Sequence, residues 1–409
     1  MDLLESFKWM YESIPAYKKF IDEQGINPVD VKSPQDIPIM DKNSYVEKYP
    51  LKERIRPDAE IALFAQSSGT TGEPVIWPIS KQSLENFKRL SEAARAFHRA
   101  DKTLVVISVA LNWHAGLSFL ATSLLGLDEG FVAFTTDKNL SGLGKVLELG
   151  GYDSVIMFSY SDFAEHQFDI LRRHRAPKYL TWFPVGGPVS FELSQRIKKE
   201  FLDSEISIIP CYGSSEGGIL GFDAFFTREG VKPYPDDLKK RLAQEYRSMG
   251  ATVFTPLPGT VIECVEKMLC ITNITTAVPT LRYMTYDMGG KVEGIETPVP
   301  LYWISGRVGN EIKIDGATVN LRPVKAFISA EFGITEENDI MIQVSKSRKV
   351  YPAWTISIRT VREFDREALA QKITDIVIEN SYEVRARVES GDSPREHFKP
   401  KVNVIQSTK

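Results

Sequence analysis

Between residues 103 and 210 the chain alternates short apolar, β-branched runs with segments of helical period. Thr103–Val109, Gly130–Thr135, Ser154–Phe158, Lys178–Val185 and Glu205–Pro210 read as strands. Ala115–Leu125, Leu140–Leu149 and Ser190–Phe201 read as helices, and Ser80 is placed to cap another that runs to about Arg99. Such alternation predicts α/β layers around a mostly parallel sheet, with ligand-binding loops beyond the strand ends. After Gly259 the pattern changes to the short strands of a β-rich unit: Thr260–Val265, Met268–Asn273 and Thr280–Thr285. A second small α/β pattern follows, with strands Glu311–Ile314, Ile340–Val344 and Trp354–Arg359 and helices Pro323–Phe332 and Arg366–Asn380. The expected fold class is therefore α/β, with a large domain over 1–308 and a small C-terminal α/β domain over 309–409. Residues 1–24 are amphipathic and aromatic, a helical segment expected to pack on the main body. The stretch from Asn27 to Pro57 carries five prolines and should wrap rather than build long elements.

Composition narrows the class without naming it. A formal net charge of -4 does not support a nucleic-acid footprint, so no nucleic-acid partner is expected. No run approaches the ~18 apolar residues of a membrane span, and the N-terminus lacks the basic-then-apolar order of a signal peptide. The 3 cysteines (Cys211, Cys264, Cys270) have no paired spacing and suit neither a disulfide framework nor a zinc site. A cytoplasmic protein without a membrane partner is the expectation. Oligomeric state stays open, a homodimer included.

Candidate chemistry starts at Ser67-Ser68-Gly69-Thr70-Thr71-Gly72, which follows the apolar run Ile61–Ala65. Hydroxyls and turn N–H groups that converge on one point suit phosphate oxygens, and glycine lets the backbone approach closely. A flexible Ser/Gly loop has the same composition, and the Gly-Lys-Ser/Thr ending of a Walker loop is missing. A second stretch, Cys211-Tyr212-Gly213-Ser214-Ser215-Glu216, runs from a strand into a turn. Tyr212 can offer a ring to a base, Ser215 a hydroxyl to a phosphate, and Glu216 a carboxylate to Mg²⁺. A plain turn with a solvated Glu is the alternative. Leu281–Asp287 places an acid in a strand-end loop, where it can accept hydrogen bonds from ribose hydroxyls, and Arg307 follows in Ile-Ser-Gly-Arg.

In order and spacing these stretches resemble the adenylate-forming (acyl-CoA synthetase) superfamily over about residues 60–400. The likeness is greatest to the phenylacetate–CoA ligase group, which shares Leu-Arg-Tyr-x-Thr-x-Asp, Ile-Ser-Gly-Arg and the absence of a lysine at the position of Val75. The resemblance implies a two-step reaction. A carboxylic acid attacks the α-phosphate of ATP, and the acyl-adenylate then passes to a thiol such as CoA, or to a reductase, amine or carrier protein of natural-product (for example phenazine) biosynthesis; a nucleotide-binding relative without turnover is the remaining alternative. The aromatic content of the chain suits a small aromatic acid, although aromatic residues mostly build cores.

By the same resemblance, the loop from Ser67 to Gly72 holds the β- and γ-phosphates and Glu216 holds Mg²⁺. Asp287 and Arg307 hold the ribose. Gly186 and Gly187 line the adenine and acyl sites, Tyr212, Gly213, Ser214 and Ser215 bind the nucleotide, and Trp113 and His114 line the acyl pocket. The mobile small domain brings a catalytic lysine, for which Lys399 matches and Lys401 is a rival. Two departures stand out: Phe398 replaces the usual glycine before the lysine, and Gly309 and Asn310 stand where the hinge acid is expected.

Overall fold

The computed structural model describes residues 2–67, 75–84, 102–109, 130–137, 139–161, 164–174, 177–185, 191–227, 230–246, 251–307, 311–314, 317–334, 340–344 and 354–405, with 111, 116, 120, 121 and 189. By contacts the chain forms two compact units, Met1–Gln66 with Ile76–Gly306 and Ser67–Val75 with Arg307–Lys409.

The N-terminal segment holds two helices, α1 (Leu3–Ser13) and α2 (Pro15–Glu23). Asp2 caps α1 by accepting the Leu4 and Glu5 N–H groups, and Pro15, with no N–H to give, breaks the run and opens α2. The proline-rich stretch forms single turns and the short helix α3 (Leu51–Arg54). Tyr45 packs edge to face on Tyr17 and Phe20 at centroid distances of 6.3 and 5.9 Å, and Tyr17 and Phe20 lie tilted at 6.0 Å, which gives the segment its own aromatic cluster.

A two-stranded sheet, β1 (Ile61–Ser67) with β2 (Val75–Ser80), precedes five parallel strands: β3 (Thr103–Ser108), β4 (Phe131–Thr135), β5 (Ser154–Tyr160), β6 (Tyr179–Val185) and β7 (Glu205–Ile208). Their order is β4-β3-β5-β6-β7, with every pair parallel. The period-2 rule divides each central strand between two cores. Leu104, Val106, Val155, Met157, Leu180 and Trp182 join residues of the helices Ala164–Arg173 and Phe191–Glu200. Val105, Ile107, Ile156, Phe158 and Phe183 pack with Ile219 and Phe222 of the following sheet and with Leu257 just beyond one of its strands.

That sheet has seven strands: β8 (Cys211–Ser214), β9 (Gly218–Phe222), β12 (Thr252–Pro256), β13 (Val261–Val265), β14 (Met268–Asn273), β15 (Thr280–Lys291) and β16 (Tyr302–Arg307), in the order β13-β14-β15-β16-β12-β9-β8. The pairs whose register is described are antiparallel. A small ribbon, β10 (Phe225–Thr227) with β11 (Gly230–Lys232), and the helix Asp236–Glu245 lie between β9 and β12 in the chain. The expected α/β class holds: in the first unit five parallel strands form one sheet and the seven-stranded sheet is a separate one. No helix among the described residues is long and apolar enough to cross a membrane.

The second unit contains the ribbon β17 (Glu311–Ile314) with β18 (Ala317–Asn320), and the sheet β19 (Ile340–Val344), β20 (Trp354–Arg359) and β21 (Lys401–Ile405). The helices Arg322–Phe332, Arg366–Asn380 and Tyr382–Glu389 complete it. One apolar core joins Val324, Ile328, Trp354, Ile356, Ile373 and Phe398.

Candidate active site

The strand expected at Glu205–Pro210 is β7, and the turn expected after it proves to be a hairpin. β8 leads into the turn Ser215–Gly217, and β9 returns antiparallel. Sequence reading missed β9 because its glycines, Gly218 and Gly221, dilute the apolar run. The turn is fixed from both sides. Ser214 Oγ accepts the Gly217 N–H at 2.9 Å, and Asn273 Nδ2 donates to the Gly217 carbonyl at 3.0 Å. Gly218 has φ +71°, a left-handed conformation that a side chain disfavours. Ser215 and Glu216 therefore stand at a held apex. They line a recess together with Trp77, Ser83, Thr276 and Val278.

Asp287 lies inside the long strand β15, not in the expected strand-end loop. The reason is a pair of bulges. Arg282 and Tyr286 adopt φ of 50° and 60°, and the β14–β15 register shifts around each of them. Bulges re-aim side chains without ending a strand, and neither is visible in an apolar pattern. The strand thereby carries two contacts into the hairpin. Tyr212 Oη donates to Asp287 Oδ2 at 2.7 Å, and Tyr283 Oη donates to Glu216 Oε1 at 3.1 Å. Thr285 Oγ1 accepts the Asp287 N–H at 3.1 Å, which orients the acid further. Tyr212 is buried and packs on Phe254 at a centroid distance of 4.8 Å, so it reaches the site through its hydroxyl as well as its ring. Beside it, burial pushes the Cys211 thiol up to about 12, so this cysteine is a protonated thiol at neutral pH.

The N-terminal segment is tied to the same strand. Met40 donates its N–H to the Arg282 carbonyl at 3.2 Å and accepts the Met284 N–H at 2.8 Å. The Arg282 guanidinium is buried. It donates to Glu263 Oε2 at 3.2 Å and to the carbonyls of Ile37 and Gln35 at 2.6 and 3.3 Å. Tyr286 Oη donates to Asp41 Oδ2 at 2.5 Å, and Asp41 Oδ1 accepts the Ser44 N–H at 2.7 Å. Burial opposes the Asp41 charge, but the hydrogen bonds from Tyr286, Ser44 and Asn43 outweigh it and hold the carboxyl below its ordinary range.

In the second unit, the turn Arg395–Phe398 leads directly to Lys399. The Phe398 ring is fully buried in the core, and Trp354 Nε1 donates to the Phe398 carbonyl at 3.0 Å. Lys399 Nζ donates to the Glu367 carboxylate, in the first turn of the helix Arg366–Asn380. Lys401 opens β21 and sits opposite Thr355 in a parallel ladder.

The structure thus brings together Tyr212, Gly213, Ser214, Ser215, Glu216 and Asp287. Ser67 closes β1, and Arg307 closes β16 with its side chain outside the described residues. Ser68, Gly69, Thr70, Thr71, Gly72, Trp113, His114, Gly186, Gly187, Gly309 and Asn310 also lie outside them. Sequence reasoning missed Tyr283, although it stands within the Leu-Arg-Tyr-x-Thr-x-Asp stretch. Asn273 and Asp41 carry no local signal at all.

No protein-family model matches the chain. The phenylacetate–coenzyme A ligase of Aromatoleum evansii is 36% identical over 80 residues, a match that spans 18% of either chain. That of Pseudomonas putida is 23% identical over 333 residues, 77% of this chain and 71% of its own. A solved 2-hydroxyisobutyryl-CoA ligase, in complex with 2-HIB-AMP and CoA, superposes with a TM-score of 0.57 at 16% identity over 99% of this chain and 84% of that one. This is the adenylate-forming ligase fold. The chain resembles the phenylacetate–CoA ligase group of that superfamily in sequence. Within the ligase fold, residues from three separated parts of the chain (around 41, 212–216 and 283–287) converge on one hairpin and one bulged strand.

Proposed function

We propose that the protein activates a small, aromatic carboxylic acid with ATP and transfers the acyl group to CoA. The carrying observation is the pair of contacts that joins Tyr212 to Asp287 and Tyr283 to Glu216. In this reading the acid's oxygen attacks the α-phosphorus and pyrophosphate leaves. The thiol sulfur then attacks the acyl carbon and AMP leaves. Asp287 accepts hydrogen bonds from the ribose hydroxyls, an arrangement that holds the nucleotide while the acid aligns. In this reading Ser215 and the hydroxyls of Ser67, Ser68, Thr70 and Thr71 are assigned to the phosphates, and Arg307 to the ribose. Trp113, His114, Gly186 and Gly187 are assigned to the acid and the adenine. Lys399 neutralises charge that develops between the acid and the α-phosphate.

Among the described residues no group of three His, Cys, Asp or Glu side chains is placed to hold a metal. A single carboxylate, Glu216, with one oxygen occupied by Tyr283, suits Mg²⁺ shared with the nucleotide's phosphates rather than a resident metal. When bound there, the ion supplies charge neutralisation to the phosphates.

ATP–pyrophosphate exchange across a panel of aryl and alkyl acids, with and without CoA, tests the proposal. Exchange with an aryl acid, followed by thioester release on adding CoA, is the expected result. Exchange without thioester formation assigns the acyl-adenylate to a reductase, amine or carrier protein instead. No exchange with any acid overturns the proposal.

A further inference from the structure

We infer that Asp41 and Tyr286 form a positioning pair that aims the Asp287 carboxylate at the nucleotide's ribose. The inference rests on the proposed ribose-holding role of Asp287.

Tyr286 immediately precedes Asp287 and adopts φ 60°, a left-handed conformation that strains a non-glycine residue. Such a residue persists only where its surroundings hold it. Here the holding contact is specific and distant in sequence: Tyr286 Oη donates at 2.5 Å to Asp41, 245 positions earlier. Asp41 is itself fixed by the Ser44 N–H, and its backbone neighbour Met40 is bonded to β15 on both sides of Tyr283. The kept charge on Asp41 strengthens the bond, because hydrogen bonds to ionised acceptors exceed neutral ones. The pair therefore locks the bulge, and the bulge sets where the Asp287 side chain leaves the strand. Asp287 then meets Tyr212 at 2.7 Å. Removing the Tyr286–Asp41 bond weakens the hold on that left-handed conformation, so the carboxylate loses direction while the strand survives.

The N-terminal segment is by this inference part of the nucleotide site. A positioning role predicts a loss confined to the ribose hydroxyls, whereas general destabilisation weakens every nucleotide alike.

The test is calorimetric binding of ATP and 2′-deoxy-ATP to the full chain and to the variants Tyr286→Phe, Asp41→Asn and Asp287→Ala. Wild type is expected to prefer ATP by about tenfold, the worth of one hydrogen bond to a charged acceptor. Asp287→Ala should abolish the preference. Tyr286→Phe, which removes one oxygen atom, should cut it to about threefold or less while leaving 2′-deoxy-ATP affinity within about twofold. Asp41→Asn, which keeps a capping oxygen for Ser44, should do the same. An intact preference in both Tyr286→Phe and Asp41→Asn, with Asp287→Ala showing none, overturns the inference and spares the ribose assignment. Equal weakening of both nucleotides in Tyr286→Phe also overturns it. An intact preference in Asp287→Ala overturns the ribose assignment and the inference with it.

Discussion

Phe398 stands where the superfamily likeness leads one to expect glycine, and its ring is fully buried in the core of the second unit. Burial of such a ring contributes about 2 kcal/mol, and it fixes the turn Arg395–Phe398 against Trp354. The residue after the turn then projects from a defined point, while Lys401 is committed to the β21 ladder with its side chain in solvent. This geometry favours Lys399 over Lys401 as the catalytic lysine. Lys399→Ala is expected to lower pyrophosphate exchange about 100-fold or more, the scale seen when one transition-state donor is removed. Lys401→Ala should leave it within about twofold. The reverse order, measured on folded variants, transfers the role to Lys401. Lys399 was legible from its place in a motif. Its partner Glu367 was not, because 32 residues separate the two and only the fold closes that distance.

Elements divide by how much of their form is local. β3, β5 and β6 are buried on both faces, so their continuous apolar runs mark them in the sequence to within a residue or two. β15 is different. Its first six residues are apparent as a strand, but its continuation through Asp287 to Lys291 depends on bulges that exist only against β14. The hairpin β8–β9 was half legible: the Tyr-Gly-x-x-Glu turn stood out, and the returning strand did not. The hairpin carries its own prediction. Gly218 has open space around the position of a Cβ, so only backbone strain opposes a side chain there. Gly218→Ala should lower stability by about 1 kcal/mol in urea unfolding. An unchanged midpoint means that the turn relaxes to another conformation and that the Glu216 apex is not held as described.

At the scale of the whole molecule, the two compact units have separate apolar cores. Cooperativity is a property of a shared core, and chains with more than one core depart from two-state unfolding. Of the 6 tryptophans, Trp354 alone belongs to the second unit, and it is fully buried. Urea unfolding followed by tryptophan fluorescence should show two transitions, one of which disappears in Trp354→Phe while circular dichroism still reports both. A single transition by both probes, unaltered by the substitution, removes the premise of independent cores. The sequence by itself determined the α/β alternation, the order of the Ser/Gly/Thr loop, the Glu216 turn and the Asp287 and Arg307 stretches, and the likeness to adenylate-forming ligases. These are local properties, set by hydrophobic period and by residue types a few positions apart. Only the tertiary structure decided that Tyr212 meets Asp287, that Tyr283 meets Glu216, and that Asp41 meets Tyr286. Each of these contacts joins residues 67 or more positions apart. Each depends on a bulge or a turn whose register is set by a partner strand, and no local pattern encodes a partner's register.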